Sequence, residues 1–539
     1  MPNETKMLCC YLSNLFFSIL IKMEIPSGSV LAAIILVIAT RWIWQAVNWL
    51  WLKPKKIEKI LRQQGLQGNN YRFFYGDFKE IKAMVNQTKS APIDFSQNIC
   101  SRLNPFLLQH INNYGKNCFM WFGPSARVNI MNPELVKEVF IKMNEFQKVK
   151  INPQGRMLAP GVAVHEGDQW VKHRRILNPA FHQEKLKMML PLFYESCNEM
   201  VEKWEKLISR KESVELDVWP YLQNLSCDVI SRAAFGSNYE EGKIIFDLLK
   251  ELTTLIMPIF QSVYIPGWRF IPTKTNNRIK QIDKEIEASL MSIIGKREKA
   301  MKESDVTNDD LLGLLIESNL KEINEGEKRA GLSIKEVMDE CRLFYFAGQE
   351  TTSVLLVWTM ILLSKFPHWQ QQARQEVMQV FGIETPHFDG LSRLKVVTMI
   401  LYEVLRLYPP AAGTARVVNE EIKLGNLILP AGVQVSVPLV LIHQDPQFWG
   451  NDASQFNPQR FSEGISKATN NQLCYLPFGW GPRICIGQNF ALAEAKMALA
   501  LILQRFSFDL SLSYSHAPTA LVTVKPEHGA QLVLTKLEP

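Results

Sequence analysis

One cysteine, Cys485, stands in the stretch Phe478-Gly-Trp-Gly481-Pro-Arg483-Ile-Cys485-Ile-Gly487, just before an apolar run that opens at Asn489. A cysteine must lose its proton to ligate a metal, and amide N–H groups at a helix N-terminus favour the thiolate. The run Asn489-Phe-Ala-Leu-Ala-Glu-Ala-Lys-Met-Ala-Leu-Ala-Leu is rich in strong helix formers, so Cys485 is expected directly ahead of a helix. Gly479, Gly481 and Gly487 let backbone approach a flat ligand where a Cβ would collide. Arg483 offers a charged fork to a carboxylate. A lone cysteine is ordinarily a small buried apolar residue, but the aromatic, glycines and arginine at fixed offsets argue for a ligand. A phosphate loop of the G-x-G-x-x-G kind does not fit, because Ile484 stands where its third glycine is needed.

A second group able to do chemistry is Phe346-Ala347-Gly348-Gln349-Glu350-Thr351-Thr352. It lies inside a run that otherwise reads as one helix. Ser333 and Glu336 make a capping box at its start, and Pro367 ends it beyond Lys365. Thirty-odd residues give a helix of roughly 50 Å, enough to cross a domain. Glycine, two threonines and two polar residues in a helix interior cost stability, which marks a place where function overrides local preference. Thr351 can bond back to a carbonyl of the preceding turn and open a kink. Glu350 and Thr351 side by side can hold and pass a proton. The competing reading is a second helix that starts inside the run with a threonine as its cap.

Both stretches resemble signatures of the cytochrome P-450 family: the Phe-x-x-Gly-x-Arg-x-Cys-x-Gly haem loop and the Ala-Gly-x-Glu/Asp-Thr-Thr/Ser segment of the distal helix. The resemblance implies haem b held through Cys485, whose thiolate favours O–O bond cleavage, with Phe478 and Arg483 beside it. It implies that Ala347 and Gly348 leave room for dioxygen and that Glu350 and Thr351 relay protons. Trp170-Val-Lys-His-Arg174 is similar to the Trp-x-x-x-Arg motif that reaches a haem propionate, and Arg416 is a third propionate partner by the same resemblance. Glu403-Val-Leu-Arg406 resembles a buried Glu-x-x-Arg pair locked to a meander, here Phe456-Asn-Pro458-Gln459-Arg460-Phe461. Gln459 replaces a common glutamate, and Glu403, Arg406 and Arg460 are expected to be structural. His443 and Asp445 are expected to fix a turn after an apolar strand, 434–442, and not to bind metal.

Period-two alternation at Ile422–Leu429 and Val433–Leu439 points to a small β region in a chain that is mostly helical. The expected fold is therefore mainly α with small β-sheets, the P-450 fold, preceded by one N-terminal transmembrane helix. The expected divisions are an extension at 1–24, a membrane anchor at 25–52, a linker at 53–95 and the catalytic domain at 96–539. The resemblance itself covers about residues 60–539, and no Gly/Ser-rich linker divides them. Residues 25–40 carry no charge, and Trp42, Trp44, Trp49 and Trp51 suit a headgroup belt. Lys53, Lys55, Lys56, Lys59 and Arg62 follow at once, so the remainder is expected on the cytosolic side of the endoplasmic reticulum, single-pass. Relatives begin near the anchor, which makes Met23 a candidate start.

With 47% hydrophobic and 21% charged residues, the composition is that of an ordinary folded protein. Nine dispersed cysteines without a C-x-x-C spacing argue against a disulfide framework or zinc ribbon. The net charge of +7 is spread along the chain without a nucleic-acid motif, so no nucleic-acid partner is expected. The region after the anchor lacks a proline-rich hinge and looks like the plant terpenoid-oxidising group that includes secologanin synthase and several triterpenoid oxidases. That resemblance implies a membrane-bound NADPH-dependent reductase as electron donor and a bulky hydrophobic substrate, a triterpenoid or iridoid, or else a gibberellin-like hormone terpenoid.

Substrate contacts are expected from Val149–Val164, Leu249–Ile271, the neighbourhood of Phe344, Ala411–Thr414 and Pro518–Val522. Met257, Phe260, Ala411, Ala520 and Leu521 are among them, while Arg156 and His165 are able to meet a carboxylate. A reductase-independent isomerase or dehydratase, or a non-catalytic haem protein, would not need Glu350 and Thr351, and both are present.

Overall fold

The computed structural model describes residues 27–89, 91–208, 212–237, 239–303, 310–325 and 331–538. The extension at 1–24 lies outside them. Among the described residues the chain is mainly helical, with four small sheets.

The six-stranded sheet runs in the order Gln67–Gly68, Cys118–Phe122, Ser125–Asn129, Gln434–Val437, Thr414–Val418, Phe146–Lys148. It ties the N-terminal segment to the region expected to be β. A three-stranded antiparallel sheet joins Phe506–Leu510, Gln531–Lys536 and Ser213–Asp217. Two hairpins complete the set, Ile422–Leu424 with Leu427–Leu429 and Pro518–Ala520 with Val524–Pro526.

Through the centre runs the helix Ile334–Lys365, 32 residues without interruption. Ser333 caps it as expected: its side chain accepts from the Glu336 N–H, and the Glu336 carboxylate accepts from the Ser333 N–H at 2.8 Å. The second-helix reading is thereby excluded. The helix is apolar and long enough to span a bilayer, but two-thirds of that apolar window is buried, so it is the core helix of the fold. It packs against Trp219–Phe235 and against Gln488–Arg505, the helix that follows Cys485.

At the N-terminus, Ser27–Val47 passes through one π-helical turn, Asn48–Leu52, into Lys53–Gln63. Leu36, Trp42, Ile43 and Trp44 stand fully out from it, and Leu31–Gln63 has the length and composition of a membrane span.

Two expectations need correction. Residues 53–95 are not a linker: Ile57 and Leu61, one turn apart, are buried with Leu66 and Tyr71, and Gln67–Gly68 pairs with Cys118–Phe119. The apolar spacing that buries one face of a helix was present in the sequence. The strand expected over 434–442 stops at Val437, because Pro438 offers no N–H to a ladder and Leu439–His443 coils into a short helix.

Candidate active site

The Cys485 loop is held by its own backbone. The Cys485 N–H donates to the Phe478 carbonyl at 2.9 Å, and Ile484 N–H to Gly481 at 3.1 Å. Gly479 and Gly481 have φ of +73° and +75°, a conformation that side chains resist. At Gly481 a Cβ would also press on the Phe140 carbonyl at 3.3 Å. Gly487 caps the helix Gln488–Arg505, and its amide N–H, with the charge of Arg174, works to lower the Cys485 pKa. Burial is the larger effect and leaves the thiol above its ordinary value. Of the described cysteines, Cys485 alone has an exposed side chain. Deep and yet accessible, it opens on space inside the fold, not on the outer surface.

Around that space stand four cations. Arg416 lies on Thr414–Val418, and directly opposite it across the antiparallel pair is Lys148, on Phe146–Lys148. Like charges facing each other on adjacent strands repel. Burial, with Arg416 and Arg483 nearby, drives the Lys148 pKa down to about 7; burial and Arg483 take Arg416 to about 10. Arg174 is lowered by burial as well. Glu166 is the one carboxylate among them, binding Arg483 through its side chain and the Lys148 N–H at 2.9 Å. Arg483 also donates to the His165 carbonyl at 2.9 Å and lies 4.6 Å over the ring of buried Trp170. Trp170 and Arg174 share one face of the helix Gly167–Leu177.

On the central helix, Thr351 is the single exposed residue between Glu336 and Ser364. Its hydroxyl donates to the Ala347 carbonyl at 2.8 Å, the expected back-bond. The Glu350 carboxylate accepts from Lys525 Nζ at 2.8 Å, which links the helix to the hairpin Pro518–Pro526. At Gly348 a Cβ would lie 2.7 Å from Ile230, so this glycine admits the helix Trp219–Phe235. Phe344 is likewise in the core, its ring 5.4 Å from Phe181 in a stacked arrangement, and Met257 is buried. Ala411, Ala520 and Leu521 are exposed, and the Val524 N–H bonds the Pro410 carbonyl at 3.0 Å, so both segments meet beside the helix.

Behind Thr351, Thr352 hydrogen-bonds the carboxyl of Glu494, which also accepts from Ser226 at 2.8 Å. Burial pushes Glu494 from the ordinary 4.5 to about 8. Between those values the native state keeps a proton that the unfolded chain has lost, so stability falls as pH rises through that window. Thermal melts from pH 5 to pH 8.5 should show a loss on the order of 3 kcal/mol, and Glu494→Gln should flatten the slope. An unchanged slope in the variant would assign it elsewhere.

Glu403 and Arg406 are both fully buried and paired twice at 2.7 Å. Arg406 also donates to the carbonyls of His443, Ala453 and Gln455. Arg460 approaches Glu403 at 3.5 Å without a well-aligned hydrogen bond and is held instead by the Trp449 carbonyl and Asp452. His443 accepts from the Leu476 N–H at 2.9 Å, and burial beside Arg406 lowers its pKa to about 3. It therefore steadies the segment that leads into the Cys485 loop. Asp445 caps Pro446–Trp449.

The family model for cytochrome P450 matches residues 98–532. The chain belongs to the cytochrome P450 family. Among curated plant proteins it is 58% identical over 497 residues to cytochrome P450 72A397 of Kalopanax septemlobus, covering 92% of this chain and 96% of that one. It is 54% identical to cytochrome P450 72A68 of Medicago truncatula over 94% and 98% of the two chains. It is 51% identical to 7-deoxyloganic acid hydroxylase of Catharanthus roseus over 96% and 100%.

As a P450 the chain is a monooxygenase of the haem-thiolate type, and the residues present suit that group. An accessible, deep thiol supplies the one soft ligand that haem iron takes in P450s. Four crowded cations with one carboxylate lack anionic partners, and a dicarboxylate supplies them. Lys148 belongs to that rim and was missed from sequence, since only the register that sets it against Arg416 reveals it. Lys525 was missed for the same reason: it stands 175 residues from Glu350.

Proposed function

We propose that this P450 is a membrane-anchored terpenoid monooxygenase, with the folded body from about residue 53 onward on the cytosolic face of the endoplasmic reticulum. The observation that carries the reading is that the loop 478–487 and the central helix each leave one reactive side chain accessible, Cys485 and Thr351. Cys485 would hold haem b through its thiolate. Arg174, Arg416, Lys148 and Trp170 would hold its propionates, and Arg483, two of whose N–H groups are already engaged, would brace the rim from Glu166. Haem so bound supplies dioxygen activation, one oxygen atom entering the substrate and the other leaving as water. Phe478 fixes the loop through its carbonyl.

Thr351 and Glu350 would hold and move the protons, Glu350 after leaving Lys525. Thr351→Ala should retain haem and lower product formed per NADPH by on the order of tenfold. Unchanged coupling in that variant would remove Thr351 from the relay.

The chain carries no flavin or nicotinamide motif, so the electrons would come from a separate NADPH-dependent reductase. Apolar or small residues at Phe260, Ala411, Ala520 and Leu521 favour a bulky substrate with few polar groups. The relative named as a 7-deoxyloganic acid hydroxylase supports an iridoid, and the notably apolar wall a triterpenoid. Titrating microsomes with triterpenoids, iridoids and gibberellin precursors while following the Soret band tests the class: a high-spin shift for one class names it. No shift, in a sample with an intact thiolate–carbonyl spectrum, refutes the terpenoid reading and spares the monooxygenase.

Seating on the membrane would extend beyond the anchor. Ile265, Trp268, Phe270 and Ile271 are all exposed. They adjoin the segment carrying exposed Phe73, since a Cβ on Gly123 would touch both Val263 and the Phe74 carbonyl. Such a contiguous apolar patch marks an interaction surface.

A further inference from the structure

Three buried side chains from three elements converge. His165 comes from the loop after Gly161–Ala163, His173 from Gly167–Leu177 and Glu340 from the central helix. One donor atom from each lies within 4.8 Å of the others. His173 Nδ1 is 2.5 Å from Glu340 Oε1, and the two imidazole rings are 4.4 Å apart.

Two atoms of this group have no partner. His165 Nε2 and Glu340 Oε2 are buried without a hydrogen bond among the described residues, an arrangement that is costly unless a partner is supplied. Everything around them is oriented. Glu340 Oε1 accepts from the Val162 N–H at 2.8 Å. His173 Nε2 lies 3.3 Å from Glu336, whose carboxylate is fixed by the Ser333 N–H and hydroxyl at 2.8 and 3.0 Å. Gly161, at φ +66°, brings the loop so near that a Cβ would sit 2.7 Å from the Glu340 carboxylate. A carboxylate behind a histidine whose other nitrogen faces a shared centre is the outer-shell arrangement of metal-ligating imidazoles.

We propose that His165, His173 and Glu340 form a zinc site that fastens the loop 161–166 to the central helix. Two imidazoles and a carboxylate are donors zinc accepts, with water in the fourth position. His173 would ligate through Nδ1 while its Nε2–H donates to Glu336, and His165 through its unpaired Nε2. Zinc bonds of about 2.0–2.1 Å put tetrahedral donors roughly 3.4 Å apart, so the widest pair, within 4.8 Å, must draw in by a little over an ångström while His173 Nδ1 and Glu340 Oε1, 2.5 Å apart, open by just under one. The dication would also neutralise Glu336 and Glu340, two carboxylates on one helix face. The loop so fastened carries the His165 carbonyl and Glu166, both of which hold Arg483. The site thus lies outside the P450 reaction and stands whether or not the terpenoid reading does.

The test uses the full-length chain with a histidine-free affinity tag, purified without chelator, and measures zinc against protein by plasma mass spectrometry. The result expected is about one zinc per chain, lost in His165→Ala and in Glu340→Gln while the thiolate–carbonyl spectrum persists. Co²⁺ added to metal-depleted wild type should give tetrahedral d–d absorption. Zinc below a tenth of an atom per chain together with no such absorption overturns the proposal, as does zinc retained in His165→Ala. Should both variants lose haem, the wild-type zinc content and Co²⁺ spectrum decide alone.

Discussion

Replacing Cys485 with alanine is expected to abolish the thiolate–carbonyl spectrum and all turnover while the chain stays folded. The side chain packs against little, being exposed on internal space. The hydrogen bond that shapes its loop, from the Cys485 N–H to the Phe478 carbonyl, belongs to the backbone and survives. No other described cysteine can substitute. The remaining six are buried, and burial raises the thiols of Cys197 and Cys227 well above their ordinary value and those of Cys100, Cys118, Cys341 and Cys474 as well. Those side chains are closed to a ligand, whereas Cys485, also raised by burial, is accessible. Absorption spectra under carbon monoxide, read beside a circular-dichroism melt, separate loss of the ligand from loss of the fold. A surviving thiolate signal in Cys485→Ala would move the ligand to another residue.

Arg406→Ala is expected to destabilise the protein by about 3–5 kcal/mol, because it strands a fully buried Glu403. Arg460, at 3.5 Å and poorly aligned, is no replacement. Three carbonyls, from His443, Ala453 and Gln455, lose their donor in the same step. Lysine should not rescue, since one ammonium cannot reproduce a fork that meets both carboxylate oxygens. Glu403→Gln with Arg406→Met should cost less than Arg406→Ala alone, because neither buried charge is left unpaired. Urea titrations of the three variants check this ordering. A loss below about 1 kcal/mol for Arg406→Ala would show that the pair is dispensable to the fold.

What the sequence disclosed was local. The Cys485 loop, the Ser333 cap and the Glu403–Arg406 pair each lie within a few residues, where spacing alone fixes geometry. The rest was set by partners far along the chain. Nothing near Gly348 says that Ile230 will press on it, and nothing near Arg483 says that Glu166, 317 residues away, will take its guanidinium. Lys148 and Arg416 repel only once their strands are in register. Two misreadings had signals that were visible: Pro438 should have closed the strand, and Ile57 with Leu61 should have announced a packed helix before the sheet.

The join between anchor and body has a mechanical meaning. The helix runs on through its π turn, and at that turn the Tyr71 hydroxyl donates to the Leu50 carbonyl at 2.6 Å while Trp51 leans on the rings of Tyr71 and Phe73. Anchor and body are thus one lever and not a weight on a string. With the span seated in a bilayer as proposed, swivelling would be suppressed, one side of the body would always meet the lipid, and a greasy molecule dissolved there would find the protein by wandering in a plane instead of through a volume.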